Sequence, residues 1–294
     1  MELDFDNTHS ELTKKLQAHL ESVIPYDESS GEISKAMRDA LIYSGKRFRP
    51  ILFLFLVKDS GRDYLNINYL QLASAIETIH AASLILDDLP CMDNAKIRRN
   101  RPTTHRQYGE SVAILSAVGL LSLAFKLITE TVFPDDIKSN AVSILAKATG
   151  LGGLVQGQYY DLNQNKLALY EYEKISEINQ LKTGTLFEVV FSLSSLTDYN
   201  QNNNYDQLML TSKELGQSFQ IIDDLRDGFK DSGKDINQDS NKYTLTSLLG
   251  SEGVMNKLHS HIDMVDNQLS QLYGEKCLSR QFIIKWFNSS LKSD

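Results

Sequence analysis

The chain has 294 residues, which is long enough to bury a large hydrophobic core without a disulfide or a structural metal ion. Its net charge of −8 argues against nucleic-acid binding, because that affinity depends on Lys and Arg side chains that neutralise phosphates. The two cysteines show no metal-ligand spacing, the N-terminus lacks the parts of a signal peptide, and the longest obvious apolar run, 51–57, is too short to span a bilayer. We therefore expect a cytoplasmic protein with no membrane span.

The first segment with a clear chemical character is basic. Residues 45–50 read GKRFRP and precede an apolar run that begins at Ile51. Lys and Arg side chains beside a flexible glycine are good ligands for a diphosphate group, to which Arg offers a bidentate contact. Taken alone, a basic loop before a buried helix is the simpler interpretation.

An apolar helix is predicted next, and it ends in acidic residues. Apolar residues recur every three or four positions from Tyr69 to Leu86, which is the spacing of one helix face. The segment 81–86 has no charge, yet Asp87 and Asp88 follow it at once. Because burying unpaired charge is costly and oxygen ligands suit hard cations, the pair indicates a Mg2+ site. A solvated helix end is the alternative interpretation.

The position of a third aspartate, Asp93, constrains the backbone. Residues six apart on a regular helix point about 240° apart, so Asp87 and Asp93 cannot share a metal ion if the helix continues. Pro90 disrupts a regular helix, and the intervening segment can then bulge out and return Asp93 to the side of Asp87. His80 lies seven residues before Asp87, on the same helix face.

Two later segments extend this pattern. Arg98 and Arg99 follow the acidic motif, as expected if Mg2+ and a diphosphate meet there. A helix that carries Leu215 and Phe219 leads into a second acidic motif, 220–227 (QIIDDLRD). Two acidic motifs that each end an apolar helix indicate two banks of carboxylates facing each other across a cleft, with metal ions between them.

Helical spacing recurs along the whole chain, and the segment 111–128 is apolar on almost every side. There is no convincing alternating strand pattern and no long low-complexity linker. The sequence therefore predicts an all-α fold of roughly ten or more helices that forms one domain over 1–294.

Taken together and in this order, the motifs resemble those of the polyprenyl diphosphate synthases. The motifs that carry the resemblance are 45–50, 87–93, 98–99, 182–184 (KTG) and 220–227. The resemblance implies the isoprenoid-synthase helical bundle with a central cleft, and a homodimer packed through long helices. It also implies a short-chain trans-prenyltransferase that condenses isopentenyl diphosphate with dimethylallyl, geranyl or farnesyl diphosphate to give farnesyl or geranylgeranyl diphosphate. The cofactor would be Mg2+, with Mn2+ as a substitute.

The resemblance also assigns roles to individual residues. The diphosphate of isopentenyl diphosphate would be bound by Lys46, Arg49, His80 and Arg99. The allylic diphosphate would be held by Arg98, Lys182 and Lys234. Gly45 and Lys242 would be further substrate-binding residues. The metal ions would be held by Asp87, Asp88, Asp93, Asp223 and Asp227. The catalytic residues would be these five aspartates, Asp224, Lys182, Thr183 and Gln220. The last three would also contact the substrate and stabilise its cation. The segment between Asp227 and Lys242 is shorter than is usual in the family, so the roles of Lys234 and Lys242 stay open.

The length of the product depends on the floor of the pocket below the first motif. Ala82 stands five residues before Asp87, where bacterial farnesyl diphosphate synthases commonly carry an aromatic residue. Its small side chain favours a C20 product over a C15 product, unless Phe125 or Tyr159 fills the space.

Three other functions fit parts of the pattern. A terpene cyclase shares the acidic motifs but binds one diphosphate, so it does not need the basic segment 45–50. A non-catalytic regulatory subunit of a prenyltransferase generally loses motif residues, whereas both aspartate motifs are intact here. A cation-binding structural protein explains neither the basic segment nor the arginine pair.

Overall fold

The computed structural model describes residues 2–24, 31–43, 45–198, 204–226 and 243–291. Over these ranges the protein is all-α, as predicted, and its only strands form a short antiparallel hairpin, β1 (Ile97–Arg98) with β2 (Arg101–Pro102). A π-helix, Gln180–Gly184, joins α10 to α11. The α-helices are α1 (Glu2–Val23), α2 (Gly31–Ile42), α3 (Phe48–Asp59), α4 (Ile67–Asp87), α5 (Thr104–Tyr108), α6 (Glu110–Thr129), α7 (Asp135–Thr149), α8 (Leu154–Leu162), α9 (Gln164–Leu167), α10 (Tyr172–Asn179), α11 (Thr185–Leu196), α12 (Tyr205–Arg226), α13 (Leu245–Tyr273) and α14 (Leu278–Leu291).

These elements group into two compact units. The first comprises α1, α2, α4, the hairpin, α5 and α6, together with the first residues of α3 and α7. The second comprises the remaining residues of α3 and α7 and the helices from α8 to α14. That 1–294 form one domain remains a prediction.

The first unit is built on α4, which packs mainly against α6. The side-chain oxygen of Asn66 accepts a hydrogen bond from the Asn68 amide at 3.0 Å, and this cap fixes where α4 begins. Ile76 and Ile79 are fully buried, as are most side chains of the helix. The first acidic motif therefore stands at the end of a rigid core helix.

The second unit is organised around α12, which packs on α11, α13 and the π-helix. Gly216 of α12 permits a close approach, because a Cβ atom there would stand 2.5 Å from the Cα atom of Gly184. Single π-helical turns inside helices occur frequently at functional sites. The π-helix carries Lys182 and Thr183, two of the predicted site residues.

Two helices among the described residues are long and apolar enough to cross a membrane by length and composition, α4 and α6. The apolar window of α4 is 72% buried, as in the core helix of a soluble protein, whereas that of α6 is 39% buried. The exposed part of α6 carries an apolar face formed by Ile114, Leu115 and Val118. One or two such helices are weak grounds for a membrane span, and an exposed apolar face also marks protein–protein contacts.

Candidate active site

The first acidic motif folds back on itself. Beyond the end of α4, the backbone amide of Asp93 donates a hydrogen bond to the carbonyl oxygen of Asp87 at 2.9 Å. Asn94, which follows, has a φ of 51°, a left-handed conformation that Asn tolerates well. The segment 88–92 therefore bulges out and Asp93 returns beside Asp87, which confirms the predicted bulge.

Asp88 is held by an arginine. Its carboxylate accepts hydrogen bonds from Arg98 Nε at 2.7 and 2.9 Å, and Arg98 Nη2 lies 2.6 Å from Asp88 Oδ1. Burial raises the pKa of Asp88, and the positive charge of Arg98 opposes that rise. The sequence assigned Asp88 to the metal ions and Arg98 to the allylic diphosphate, whereas the structure binds the two to each other. Both roles remain predictions.

The basic segment 45–50 lies against Arg99. Gly45 has a φ of +92°, and a Cβ atom there would stand 2.5 Å from Arg99 Nη1. Lys46 is exposed and Arg49 is half-buried, whereas Arg47 between them is buried. The structure thus places two predicted diphosphate ligands, Gly45 and Arg99, in direct proximity.

His80 of α4 is neutral near pH 7. Burial of its ring lowers its pKa well below the ordinary value, and the charges of Arg49 and Arg99 act in the same direction. A neutral imidazole can form a hydrogen bond with a diphosphate without adding to the repulsion between the arginines. In the first unit, the structure therefore groups His80 with Arg49 and Arg99, as the predicted site for isopentenyl diphosphate requires.

In the second unit, a hydrogen-bonded chain links the π-helix to α12. Thr183 Oγ1 donates to Gln220 Oε1 at 2.6 Å, and Gln220 Nε2 donates to Asp224 Oδ1 at 2.8 Å. Because the hydroxyl hydrogen of Thr183 is used on Gln220, its oxygen presents only lone pairs to any further group. An oxygen in that state is suited to stabilising a positive charge.

Lys182 is paired with an acid on α8. Its Nζ lies 2.6 Å from Asp161 Oδ2, and the two side chains are 24% and 10% exposed. Gly157, one turn before Asp161, allows this approach, because a Cβ atom there would stand 2.6 Å from the Lys182 amide nitrogen. Helix α8 therefore fixes the position of Lys182.

Asp227, Lys234 and Lys242 lie outside the described residues, and Asp223 is exposed near the end of α12. Within the described ranges, no group of three or more His, Cys, Asp or Glu side chains is arranged to hold a metal ion. Mg2+ usually takes one or two carboxylates from the protein and completes its shell with water and substrate phosphates. Asp87 and Asp93, which the bulge brings close together in space, fit that requirement.

Neither member of one buried ion pair was predicted to belong to the site. Arg47 of the basic segment contacts Glu77 of α4, with Nη1 2.7 Å from Oε1. Glu77 is the only acidic residue between 65 and 86, and this isolation within an apolar helix is a signal that could have revealed it.

The chain is similar to known proteins over most of its length. A family model described as polyprenyl synthetase matches residues 31–274. A geranylgeranyl diphosphate synthase of Pantoea ananas is 41% identical over 282 residues, which cover 96% of this chain and 93% of the relative. Another, of Pseudescherichia vulneris, is 40% identical over 281 residues, which cover 95% of this chain and 91% of the relative. The crystal structure of a Helicobacter pylori geranyltransferase complexed with magnesium and isoprenyl diphosphate has a TM-score of 0.86 and 28% identity, and the match covers 98% of this chain and 97% of that one.

Proposed function

The chain belongs to the polyprenyl synthetase family, and from that premise we propose that its product is geranylgeranyl diphosphate. It is a short-chain trans-prenyltransferase that condenses isopentenyl diphosphate with an allylic diphosphate. The observation that supports the condensation is the grouping of Arg49 and Arg99 with a neutral His80. A terpene cyclase, which binds a single diphosphate, has no use for that second cationic site. The length of the product rests on Ala82.

Isopentenyl diphosphate binds, in this proposal, at the basic segment. Arg49 and Arg99 offer bidentate contacts to its diphosphate, and the exposed Lys46 adds a point charge. Gly45 has no side chain, so the Arg99 guanidinium can lie close to the backbone of the segment. His80 contributes a hydrogen bond without a charge.

Mg2+, or Mn2+ as a substitute, would help to bind the allylic diphosphate. The first unit would supply Asp87, Asp88 and Asp93 as metal ligands, and the second unit would supply Asp223 and Asp227. When bound, the ion would neutralise charge on the departing diphosphate and so ease its departure. Arg98 and Lys182 add positive charge, and to do so they share or leave Asp88 and Asp161.

Departure of diphosphate leaves an allylic cation, which the double bond of isopentenyl diphosphate attacks to form the new carbon–carbon bond. A proton is then lost to the released diphosphate, which restores a double bond. Thr183 and Gln220 stabilise the cation through oxygen lone pairs, because the hydrogen of Thr183 is already committed to Gln220. Water must be excluded during this interval, since it would add to the cation.

The small residue Ala82 supports a C20 product. It is fully buried within α4. Of the two side chains that could fill the space, Tyr159 is 48% exposed, whereas Phe125 of α6 is half-buried and stays the alternative. The similarity to two relatives named geranylgeranyl diphosphate synthases also supports a C20 product.

We also propose that the protein is a cytoplasmic homodimer. The exposed apolar face of α6, formed by Ile114, Leu115 and Val118, is the surface on which a second copy would pack. Sedimentation of Val118→Glu tests this step, because a charge in that face should yield monomers. A dimer that persists would place the contact elsewhere.

The test of function is incubation with Mg2+, labelled isopentenyl diphosphate and separate C5, C10 and C15 allylic starters, with products resolved by length. We expect elongation from each starter and a dominant C20 product. A dominant C15 product would refute the chain length but keep the activity. Release of a cyclic hydrocarbon without elongation would favour a terpene cyclase. Elongation only when a partner enzyme is added would favour a regulatory subunit.

A further inference from the structure

We propose that Glu77 is a positioning residue, which holds Arg47 inward and thereby sets the shape of the basic segment that binds isopentenyl diphosphate. The inference rests on the proposed function of that segment. Glu77 touches no substrate in this proposal and acts only through Arg47.

The contact is buried and directional. Arg47 Nη1 donates to Glu77 Oε1 at 2.7 Å, and Arg47 Nη2 donates to the carbonyl oxygen of Ile42 at 2.6 Å. The two side chains are 5% and 3% exposed, so solvent screens this pair very little. Arg47 is therefore fastened both to α4 and to the last residue of α2.

The backbone shows why this fastening matters for the neighbours of Arg47. Arg47 has a φ of 51°, a left-handed conformation that is uncommon for any residue other than glycine. In this conformation the Arg47 side chain is buried, while Lys46 is exposed and Arg49 is half-buried. The carbonyl oxygen of Arg47 also accepts the first hydrogen bond of α3, from the Ile51 amide at 3.1 Å. The contacts that hold Arg47 in place therefore also fix the backbone positions of Lys46 and Arg49, the two predicted diphosphate ligands in the segment.

The place of Glu77 on α4 links the pair to the rest of the site. Glu77 lies three residues before His80, so the two residues are neighbours on the helix surface. The charge of Arg47 also contributes to the lowered pKa of His80. One ion pair therefore joins the basic segment to the turn of α4 that presents His80.

Burial of two charges does not by itself favour the fold, because apolar residues of similar size often do as well. A purely structural pair can therefore be replaced by an apolar pair without loss of substrate binding. If the pair positions the segment, the same replacement should weaken substrate binding, because an apolar pair lacks the hydrogen bonds that fix the backbone conformation at residue 47. The two explanations predict different outcomes for a double substitution.

The experiment compares Glu77→Gln, Glu77→Leu and the double variant Arg47→Met/Glu77→Leu with the unchanged protein. Thermal unfolding gives Tm, steady-state kinetics gives the KM for each substrate, and calorimetry gives the Kd of isopentenyl diphosphate added without an allylic partner. A control is Asp266→Asn, which removes the charge from a more exposed ion pair, that of Asp266 (27% exposed) with Arg280 (29% exposed).

We expect the Kd and KM for isopentenyl diphosphate to rise by at least about tenfold in Glu77→Leu, with the KM for geranyl diphosphate changed less than about twofold. The Kd and KM of Glu77→Gln for isopentenyl diphosphate should lie between those of Glu77→Leu and the unchanged protein, because the amide keeps a hydrogen-bond acceptor but loses the charge. The double variant should have a Tm close to that of the unchanged protein, but its affinity for isopentenyl diphosphate should remain low. The control should bind isopentenyl diphosphate normally.

Recovery of affinity together with Tm in the double variant would overturn the proposal, as would an equal rise in KM for both substrates. If Glu77→Leu does not fold, Glu77→Gln and the double variant still decide the matter. Failure of the unchanged protein to elongate any starter would contradict the proposed function instead. The calorimetric Kd would then still report on Glu77.

Discussion

Gly216 offers a sharp test of the link between helix packing and chemistry in the second unit. Gly216→Ala would place a Cβ atom 2.5 Å from the Gly184 Cα atom, at the end of the π-helix. Carbon atoms in contact lie about 3.5–4.0 Å apart, so α12 and the π-helix must separate by roughly 1 Å. Gln220 stands one turn further along α12 and accepts the 2.6 Å hydrogen bond from Thr183.

The expected magnitudes follow from this geometry. Overpacking costs about 1–3 kcal/mol, of which the better helix propensity of Ala offsets up to about 1 kcal/mol. With the full offset the net loss is about 0–2 kcal/mol, which should lower Tm by at most roughly 3 °C in a chain of this size. Turnover should fall much more, by about tenfold to a hundredfold, since a displacement of about 1 Å at a catalytic group has that effect.

The assay measures Tm by circular dichroism and kcat with saturating isopentenyl and geranyl diphosphates. Gly253→Ala is the matched control, because its Cβ atom would meet only Leu249 Cβ of the same helix, at 3.1 Å. We expect the control to keep its kcat. A Gly216→Ala protein with unchanged Tm and kcat would refute the reasoning that this close approach positions Gln220.

Four further outcomes follow from the structure. Asp87→Asn should raise the Mg2+ concentration needed for half-maximal activity by at least about tenfold with little change in Tm, because Asp87 is a proposed metal ligand. In thermal unfolding, Asp88→Asn should lower Tm, because Arg98 loses the carboxylate that it contacts at 2.6 Å. Ala82→Tyr should shorten the main product in the elongation assay, and an unchanged product profile would place the floor of the pocket elsewhere. Burial raises the pKa of Tyr273 to about 12, so the folded state keeps a proton that the unfolded state releases near pH 10. Stability should therefore fall as pH rises from about 10 to about 12, and chemical denaturation of Tyr273→Phe should show a shallower fall.

The sequence predicted the helical class and the bulge after α4 because both follow from short-range rules. Periodicity reports which residues face the core, and Pro90 with the six-residue spacing leaves Asp93 few ways to reach Asp87. The hydrogen bond from the Asp93 amide to the Asp87 carbonyl joins residues only six apart, so such short-range rules are sufficient to predict it.

The partners of the charged side chains could not be predicted in the same way. Ten residues separate Asp88 from Arg98, and thirty separate Arg47 from Glu77. Which acid meets which arginine depends on how α2, α4 and the hairpin pack, and no spacing rule contains that information. A buried acid in an apolar helix can be recognised as needing a partner, but the sequence does not name the partner.

These pairings bear on how the two diphosphates bind. Arg98 and Lys182, the predicted ligands of the allylic diphosphate within the described residues, each contact a carboxylate, Asp88 and Asp161. In the proposed function, an allylic diphosphate would therefore displace the acid from each of these two side chains or share the side chain with it. That competition would make the affinity depend on the positive charge that Mg2+ adds. In the further proposal, the contact of Arg47 with Glu77 acts on isopentenyl diphosphate through the backbone of the segment 45–50.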